Sequence, residues 1–393
     1  MPIINRIADF HQEMTAWRRD LHAHPETAFE EFRTSGIVAA KLEEWGIEVH
    51  RGLGVTGVVG TLKGGGASGN AKSIALRADM DALNMQEQND FPHASTIPGK
   101  MHGCGHDGHT TMLLGAAKYL AETRNFDGTV HFIFQPAEEG KGGAQKMVEE
   151  GLFDLFPVSE VYGMHNWPEM PAGTIAVRTG PIMAAADQFD IKVRGNGAHG
   201  AMPHFGIDPV VVGAHIVTAL QSIVSRNTDP LRSAVVSVTQ IHGGSAYNVI
   251  PSEVTLSGTV RTFEVAVQDM VEAGLRRVAT ATAEAFGATA EIDYRRNYPA
   301  TVNTADETVF AGRVAAEVVG PSQVIYDPAP STGAEDFAFM LDKKPGSYVW
   351  IGQAGGPSGC MVHNPRYDFN DEILPVGASY WAKLVETALP RVA

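Results

Sequence analysis

Residues 129–139 read TVHFIFQPAEE, an apolar run that ends in Gln135-Pro136-Ala137 and two adjacent carboxylates. Neighbouring side chains on an extended backbone point to opposite sides, so a continuous apolar run fits a strand buried on both faces. Two further stretches share the form: SIALRADMD at 73–81 and VYGMHN at 161–166. Each also ends in polar residues. Between the first two lies a helix expected to begin near His109, with Leu113, Ala117 and Leu120 on one face. Buried strands separated by helices indicate an α/β layer structure, in which ligands collect beyond the carboxyl ends of the strands. Those ends are where the polar residues fall.

Working outward, Ile7, Phe10, Met14, Trp17 and Leu21 recur at three- and four-residue steps, as on one face of a helix. A second helix is expected over 34–45, stopped by Gly46, and residues 60–70 read as a loop rich in Gly. From about residue 185 the pattern changes. QFDIKVR at 188–194 alternates like a strand covered on one face. Asp208-Pro209 then starts a helix carrying Val212, Ile216, Leu220 and Ile223. Strands at 234–241 and 253–262, a helix carrying Val267, Val271, Leu275, Val278 and Phe286, and a strand at 288–294 follow. The order β-α-β-β-α-β is ferredoxin-like. The α/β pattern resumes near Thr304, where Thr304 and Glu307 suggest a capping box. The expected fold is thus a mixed-sheet α/β domain made of residues 1–186 and 301–393, with an α+β domain inserted at 187–300.

The chain has 393 residues, 30 Lys and Arg against 45 Asp and Glu, and a formal charge of −15. That balance argues against nucleic acid or an anionic membrane as partner. No run of ~20 apolar residues long enough to span a bilayer is evident. The opening MPIINRIADFHQEM lacks the basic and apolar regions of a secretory signal. Cys104 and Cys360 are the only cysteines, which excludes a disulfide scaffold and leads us to expect a reducing cytoplasm.

The densest chemical cluster is His102-Gly103-Cys104-Gly105-His106-Asp107-Gly108-His109. A Cys and a His two apart converge on one metal if the backbone turns, and the glycines permit the turn. The same residues also fit a tight loop of hydrogen-bonded His. In Glu138-Glu139 one carboxylate can bind metal while its neighbour handles a proton, or both can be solvated. His165 ends the 161–166 run, beside the Glu pair if the two strands are neighbours, and His363 returns late in the chain. Cys104, His106, Glu139, His165 and His363 form a mixed S/N/O donor set suited to two divalent ions, with Zn, Mn, Co or Ni compatible. Such ions lower the pKa of a water and polarise a carbonyl, the chemistry of amide or ester hydrolysis. No G-x-S-x-G elbow, P-loop or dinucleotide glycine fingerprint is present.

The motifs GCGHDGH, QPAEEG, GMHN and VHNPRYDFND, with RRDLHAHPE, RADMDAL, GNGAHGAMPH and NVIP, together resemble the M20 metal-dependent amidohydrolases related to hippurate hydrolase and auxin-conjugate hydrolases. The resemblance spans Trp17 to Leu384. It implies that Cys104, His106, Glu139, His165 and His363 are metal ligands and that Glu138 is the general base, passing a proton from water to the leaving amine. It further implies that His199 stabilises the oxyanion, in dimeric relatives from the opposite subunit, and that Asn248 and Arg261 hold the substrate carboxylate. The substrate implied is an N-acyl or N-aroyl amino acid, and the assembly a homodimer or homotetramer. Dipeptidase, carboxypeptidase and N-acetyldiaminopimelate deacetylase remain alternatives, as does a non-catalytic metal-binding scaffold. One departure concerns Arg77-Ala78-Asp79, where much of the wider clan places a ligand His. Arg has no free lone pair for a metal. Asp79 and Asp107 remain candidates for orienting a His ring, Asp79 equally for a solvated side chain. His22 and His24 fit either pocket lining or a helix end, and His204 and His215 read as structural.

Overall fold

The structure, a computed structural model, describes residues 3–66, 72–354 and 359–391. The chain divides into two compact units. One comprises Met1–Ile182, Val302–Ala329 and Asp336–Ala393, the other Met183–Thr301 and Pro330–Glu335.

In the first unit, Thr129–Gln135 is a strand buried from Val130 onward. It lies third in an eight-stranded sheet ordered Glu48–Arg51, Val58–Lys63, Thr129–Gln135, Ser73–Asp79, Glu160–Pro171, Gly346–Ala354, Ile175–Val177, Val324–Tyr326. The four central strands from Thr129–Gln135 to Gly346–Ala354 run parallel to their neighbours. Val58–Lys63 and Ile175–Val177 flank them antiparallel, so the sheet is mixed. Ile74, Leu76, Phe132, Phe134, Val349 and Ile351 are all buried in the core, which is why these strands read as unbroken apolar runs.

The helix expected near His109 begins three residues earlier and spans His106–Thr123, with His106 to Ala117 buried throughout. Helices His11–Ala23 and Leu374–Ala388 pack against it. Small residues allow the approach: a Cβ on Gly115 would lie 2.4 Å from the Met14 sulfur. The first apolar stripe is broken at Phe10 into Asn5–Asp9 and His11–Ala23. The second helix, Phe32–Glu44, starts two residues early because the Glu26 carboxylate accepts from the Arg33 and Thr34 amides at 2.9 and 2.8 Å. The loop expected over 60–70 is half wrong. Val58–Lys63 is a strand with Leu62 in the core, and residues 67–70 lie outside the described residues. Thr304 does precede the helix Ala305–Val319, but no reciprocal box forms, since its hydroxyl bonds Glu307 and the Gly346 backbone instead.

The second unit is the ferredoxin-like α+β arrangement. Its antiparallel sheet has the order Ala234–Gly243, Glu253–Thr262, Ala185–Arg194, Thr289–Tyr298. Helices Pro209–Ser222 and Val265–Ala285 cover one face through Val212, Ile216, Leu220, Val271 and Leu275. The Asp208 side chain accepts from the Val210 amide at 2.9 Å, a cap that contributes about 1 kcal/mol. Contrary to the sequence expectation, one stretch, Pro209–Asn227, is long and apolar enough to cross a membrane by length and composition. Its apolar stripe is buried against the sheet of its own unit.

Candidate metal centre

Each central strand of the first unit delivers polar groups to one crevice. The ladder between Ser73–Asp79 and Glu160–Pro171 runs from Ile74/Glu160 to Arg77/Gly163, and His165 follows two residues later. His165 is therefore inside a strand that continues to Pro171 rather than at its end. The strand beside it is Ser73–Asp79, which separates it from Thr129–Gln135. Gly105, at φ 98°, turns the chain between Cys104 and His106. A Cβ there would meet the Asn166 Oδ1 at 2.3 Å, so the tight turn requires glycine. His363 arrives from the far end of the sequence in the left-handed region, φ 63°, its amide donating to the Gly103 carbonyl at 2.7 Å. The Glu pair is not on an extended backbone. Ala137 sits at φ 56° and Gly140 at φ 75°, and with Glu139 at ψ 76° the segment 138–141 is a tight, non-helical turn.

These turns bring the predicted side chains together. Cys104 Sγ lies 3.4 Å from His165 Nε2, and Glu139 Oε1 lies 3.2 Å from His363 Nε2 and 4.0 Å from His106 Nε2. Two trios, Cys104–His106–His165 and Cys104–Glu139–His363, each have their ligand atoms within 4.8 Å of one another. Glu138 joins His106 and Glu139 in a third. The donors fit a divalent ion. His106 Nδ1 faces the Asp81 carboxylate at 3.3 Å, leaving a buried Nε2 with no hydrogen bond. Glu139 Oε1 is likewise buried and out of hydrogen-bonding alignment. His165 donates through Nδ1 to the Asn166 carbonyl at 2.7 Å, which turns the Nε2 lone pair toward Cys104. Such outer contacts fix the tautomer a metal needs.

The electrostatics agree. Burial, reinforced by Glu139 and Glu138, pushes the Cys104 thiol well above its ordinary value. Burial also raises Glu139, but His363 and His106 hold it below the usual carboxylate range. Burial and His109 push His165 well down, so it stays neutral. Burial opposes charge on His106, yet Asp79 and Asp81 raise it to about 10. A cation in this crevice takes the place of protons that the carboxylates otherwise attract.

Asp79 is fully buried, which overturns its reading as a solvated residue. It contacts His109 Nδ1 at 2.6 Å and Arg77 at 2.8 Å, and Arg77 also reaches Gln135 and Asp336. The guanidinium that replaces a ligand His thus neutralises buried carboxylates. His109 Nε2 lies 2.7 Å from Asn166, so both its nitrogens are engaged. His22 is neither pocket lining nor helix cap but a buried bridge between Asp107 at 2.8 Å and Glu87 at 3.2 Å. His24 folds back onto the Asp20 carbonyl at its helix end. Asp81 and Glu31 were missed in the sequence. The D-x-D spacing of 79 and 81 at a strand end was the available sign for the first, and nothing local marked the second.

In the second unit His199 pairs with Val249, and the Gly200 amide bonds the Asn248 carbonyl at 2.7 Å. A surface groove lined by His199, Gly244, Asn248 and Pro251 results. Arg261 is not brought there. It lies eight residues along Glu253–Thr262, ~27 Å at strand rise, with its guanidinium on the Val260 carbonyl.

Fold and donor set define a metal-dependent amidohydrolase, one in which thiol, imidazole and carboxylate side chains able to hold divalent ions gather in one crevice. The chain belongs to the peptidase family M20/M25/M40, whose model matches residues 75–387. It is 40% identical over 384 residues to hippurate hydrolase of Campylobacter jejuni, covering 98% of both chains. It is 41% identical over 388 residues to N-acetylcysteine deacetylase of Bacillus subtilis, again over 98% of each. Among solved structures, a dinuclear metal-binding M20 peptidase from Bacillus subtilis superposes with a TM-score of 0.85 at 37% identity, covering 98% of this chain and 100% of that one.

Proposed function

We propose that this protein hydrolyses the amide bond of N-acyl or N-aroyl amino acids, hippurate-like or N-acetylated, to a carboxylate and a free amino acid. Cys104, His106, Glu139, His165 and His363 would hold two divalent ions, Cys104 belonging to both trios. Ions of this class acidify a water and polarise a carbonyl when bound. Glu138 is the general base. Its buried carboxylate stands within 4.8 Å of ligand atoms of His106 and Glu139, and this single observation carries the reading. It accepts the proton of the attacking water and returns it to the leaving nitrogen. His199 donates to the developing oxyanion. Arg261 and Asn248 read the substrate carboxylate, for which a planar guanidinium offers two parallel hydrogen bonds. The hydrolase and deacetylase names of the similar proteins support this substrate class.

The groove of His199 and Asn248 stands a strand's length from Arg261, which supports a reading in which the two reach one ligand from different chains. We read the assembly as a homodimer or homotetramer in which residues 187–300 pair and exchange these groups. A cytoplasmic setting fits a chain whose only cysteines are Cys104 and Cys360. The test is a steady-state screen of hippurate, N-acetyl amino acids and dipeptides on metal-loaded enzyme, with Glu138→Gln in parallel. The expected result is turnover of acylated amino acids above dipeptides, and a kcat about 10²–10⁴-fold lower in the variant with its metal retained. Unchanged kcat in Glu138→Gln refutes the base assignment.

A further inference from the structure

Three consecutive amides, those of Ala137, Glu138 and Glu139, point at two buried carboxylates that no ligand motif includes. The Ala137 amide donates to Glu31 Oε1 at 2.9 Å. The Glu138 and Glu139 amides donate to Asp81 Oδ1 and Oδ2, each at 3.0 Å. Ala137 is a non-glycine residue held at φ 56°, a conformation that persists only where its surroundings enforce it. We propose that Glu31 and Asp81 act as a clamp that holds this left-handed turn and so positions Glu138 and Glu139, with Asp81 also orienting His106. The inference rests on the roles given above to Glu138, Glu139 and His106.

Two features argue that the clamp is more than local packing. Glu31 occupies the N-cap position of Phe32–Glu44, yet its side chain makes no capping bond to that helix. Glu26 caps that helix instead, which releases Glu31 to reach Ala137, the Phe29 amide at 3.1 Å and the Thr56 hydroxyl at 2.6 Å. The arrangement is also costly. Both carboxylates are fully buried, and burial together with nearby Asp81 lifts Glu31 to about 7 even though the Thr56 hydroxyl pulls it down.

The donor pattern distinguishes the two members chemically. Glu31 receives both amides on Oε1 and only a hydroxyl on Oε2, and a hydroxyl can turn to accept. Gln therefore fits in place of Glu31. Asp81 receives an amide on each oxygen, so the NH₂ of Asn would face an N–H. Neither residue is a proposed ligand: Glu31 acts through the backbone of Ala137, and Asp81 through the backbone of Glu138 and Glu139 and the ring of His106.

The experiment compares wild type, Asp81→Asn, Glu31→Ala and Glu31→Gln by three readouts. These are Zn²⁺ affinity in competition with a chelator, amide exchange over residues 134–142 in metal-free protein, and kcat and KM at saturating metal. Asp81→Asn is expected to weaken Zn²⁺ binding 10–100-fold, to speed exchange at 138 and 139, and to lower kcat with KM within twofold. Glu31→Ala should do the same more weakly, and Glu31→Gln should rescue it. Wild-type affinity and exchange in Asp81→Asn overturn the clamp, as does a Glu31→Gln no better than Glu31→Ala. Should Asp81→Asn not fold, the Glu31 pair decides alone. Wild-type turnover in Glu138→Gln would overturn the base assignment while affinity and exchange still report on the clamp.

Discussion

What a buried carboxylate does in this crevice depends on what each of its oxygens faces. Asp81 spends both on amides, while Glu139 keeps Oε1 without a hydrogen bond and so available to a cation. His22 shows the same logic for a cation. Burial opposes its charge, but its contacts to Asp107 and Glu87 raise it to about 9. Unfolded, it titrates near 6.5. Its contribution to stability is therefore complete below pH 6.5 and is lost as pH rises through 9. Urea midpoints of metal-free protein should show wild type losing about 1–3 kcal/mol relative to His22→Gln between pH 6 and pH 10. A pH-independent difference would contradict the assignment. The five donors were legible because each carries a ligating atom next to glycine or at the end of an apolar run. Glu31 was not legible. Its role depends on Ala137, more than a hundred residues away, and only folding reveals that contact.

Apolar pattern located most elements of both units, because burial on one face leaves a repeat of 3.6 or 2 in the sequence and burial of a strand on both faces leaves an unbroken apolar run. Their ends were harder. The helix His106–Thr123 begins within the ligand motif itself, since the left-handed Gly105 lets the chain enter the helix directly after Cys104. Nothing periodic marks such a start. Glu160–Pro171 runs past His165 because Gly346–Ala354 continues to pair with it as far as Pro171, a tertiary contact absent from local pattern. The lateral order of strands was also hidden. Ser73–Asp79 lies between the strand that leads into the Glu pair and the strand that carries His165, so the centre is not closed by adjacent strands.

At the scale of the whole molecule, the separation of Arg261 from His199 and Asn248 makes association part of the proposed activity. Mixing and re-associating Glu138→Gln with His199→Ala should restore about a quarter of wild-type sites, since one site per mixed dimer is intact. No recovery would mean that each chain uses its own His199. The composition indicated an acidic chain and argued against nucleic acid or an anionic membrane as partner, and the inserted ferredoxin-like order was readable from six successive elements. How copies of the chain meet left no such record. Beneath all of this lies the claim that Cys104, His106, Glu139, His165 and His363 hold divalent ions beside Glu138. Anomalous X-ray scattering from crystals of the zinc-loaded protein tests it most directly. Two ions per chain are predicted, each ~2.0–2.3 Å from ligand atoms of these five residues. Ions bound elsewhere, or none in this crevice at saturating zinc, would contradict it.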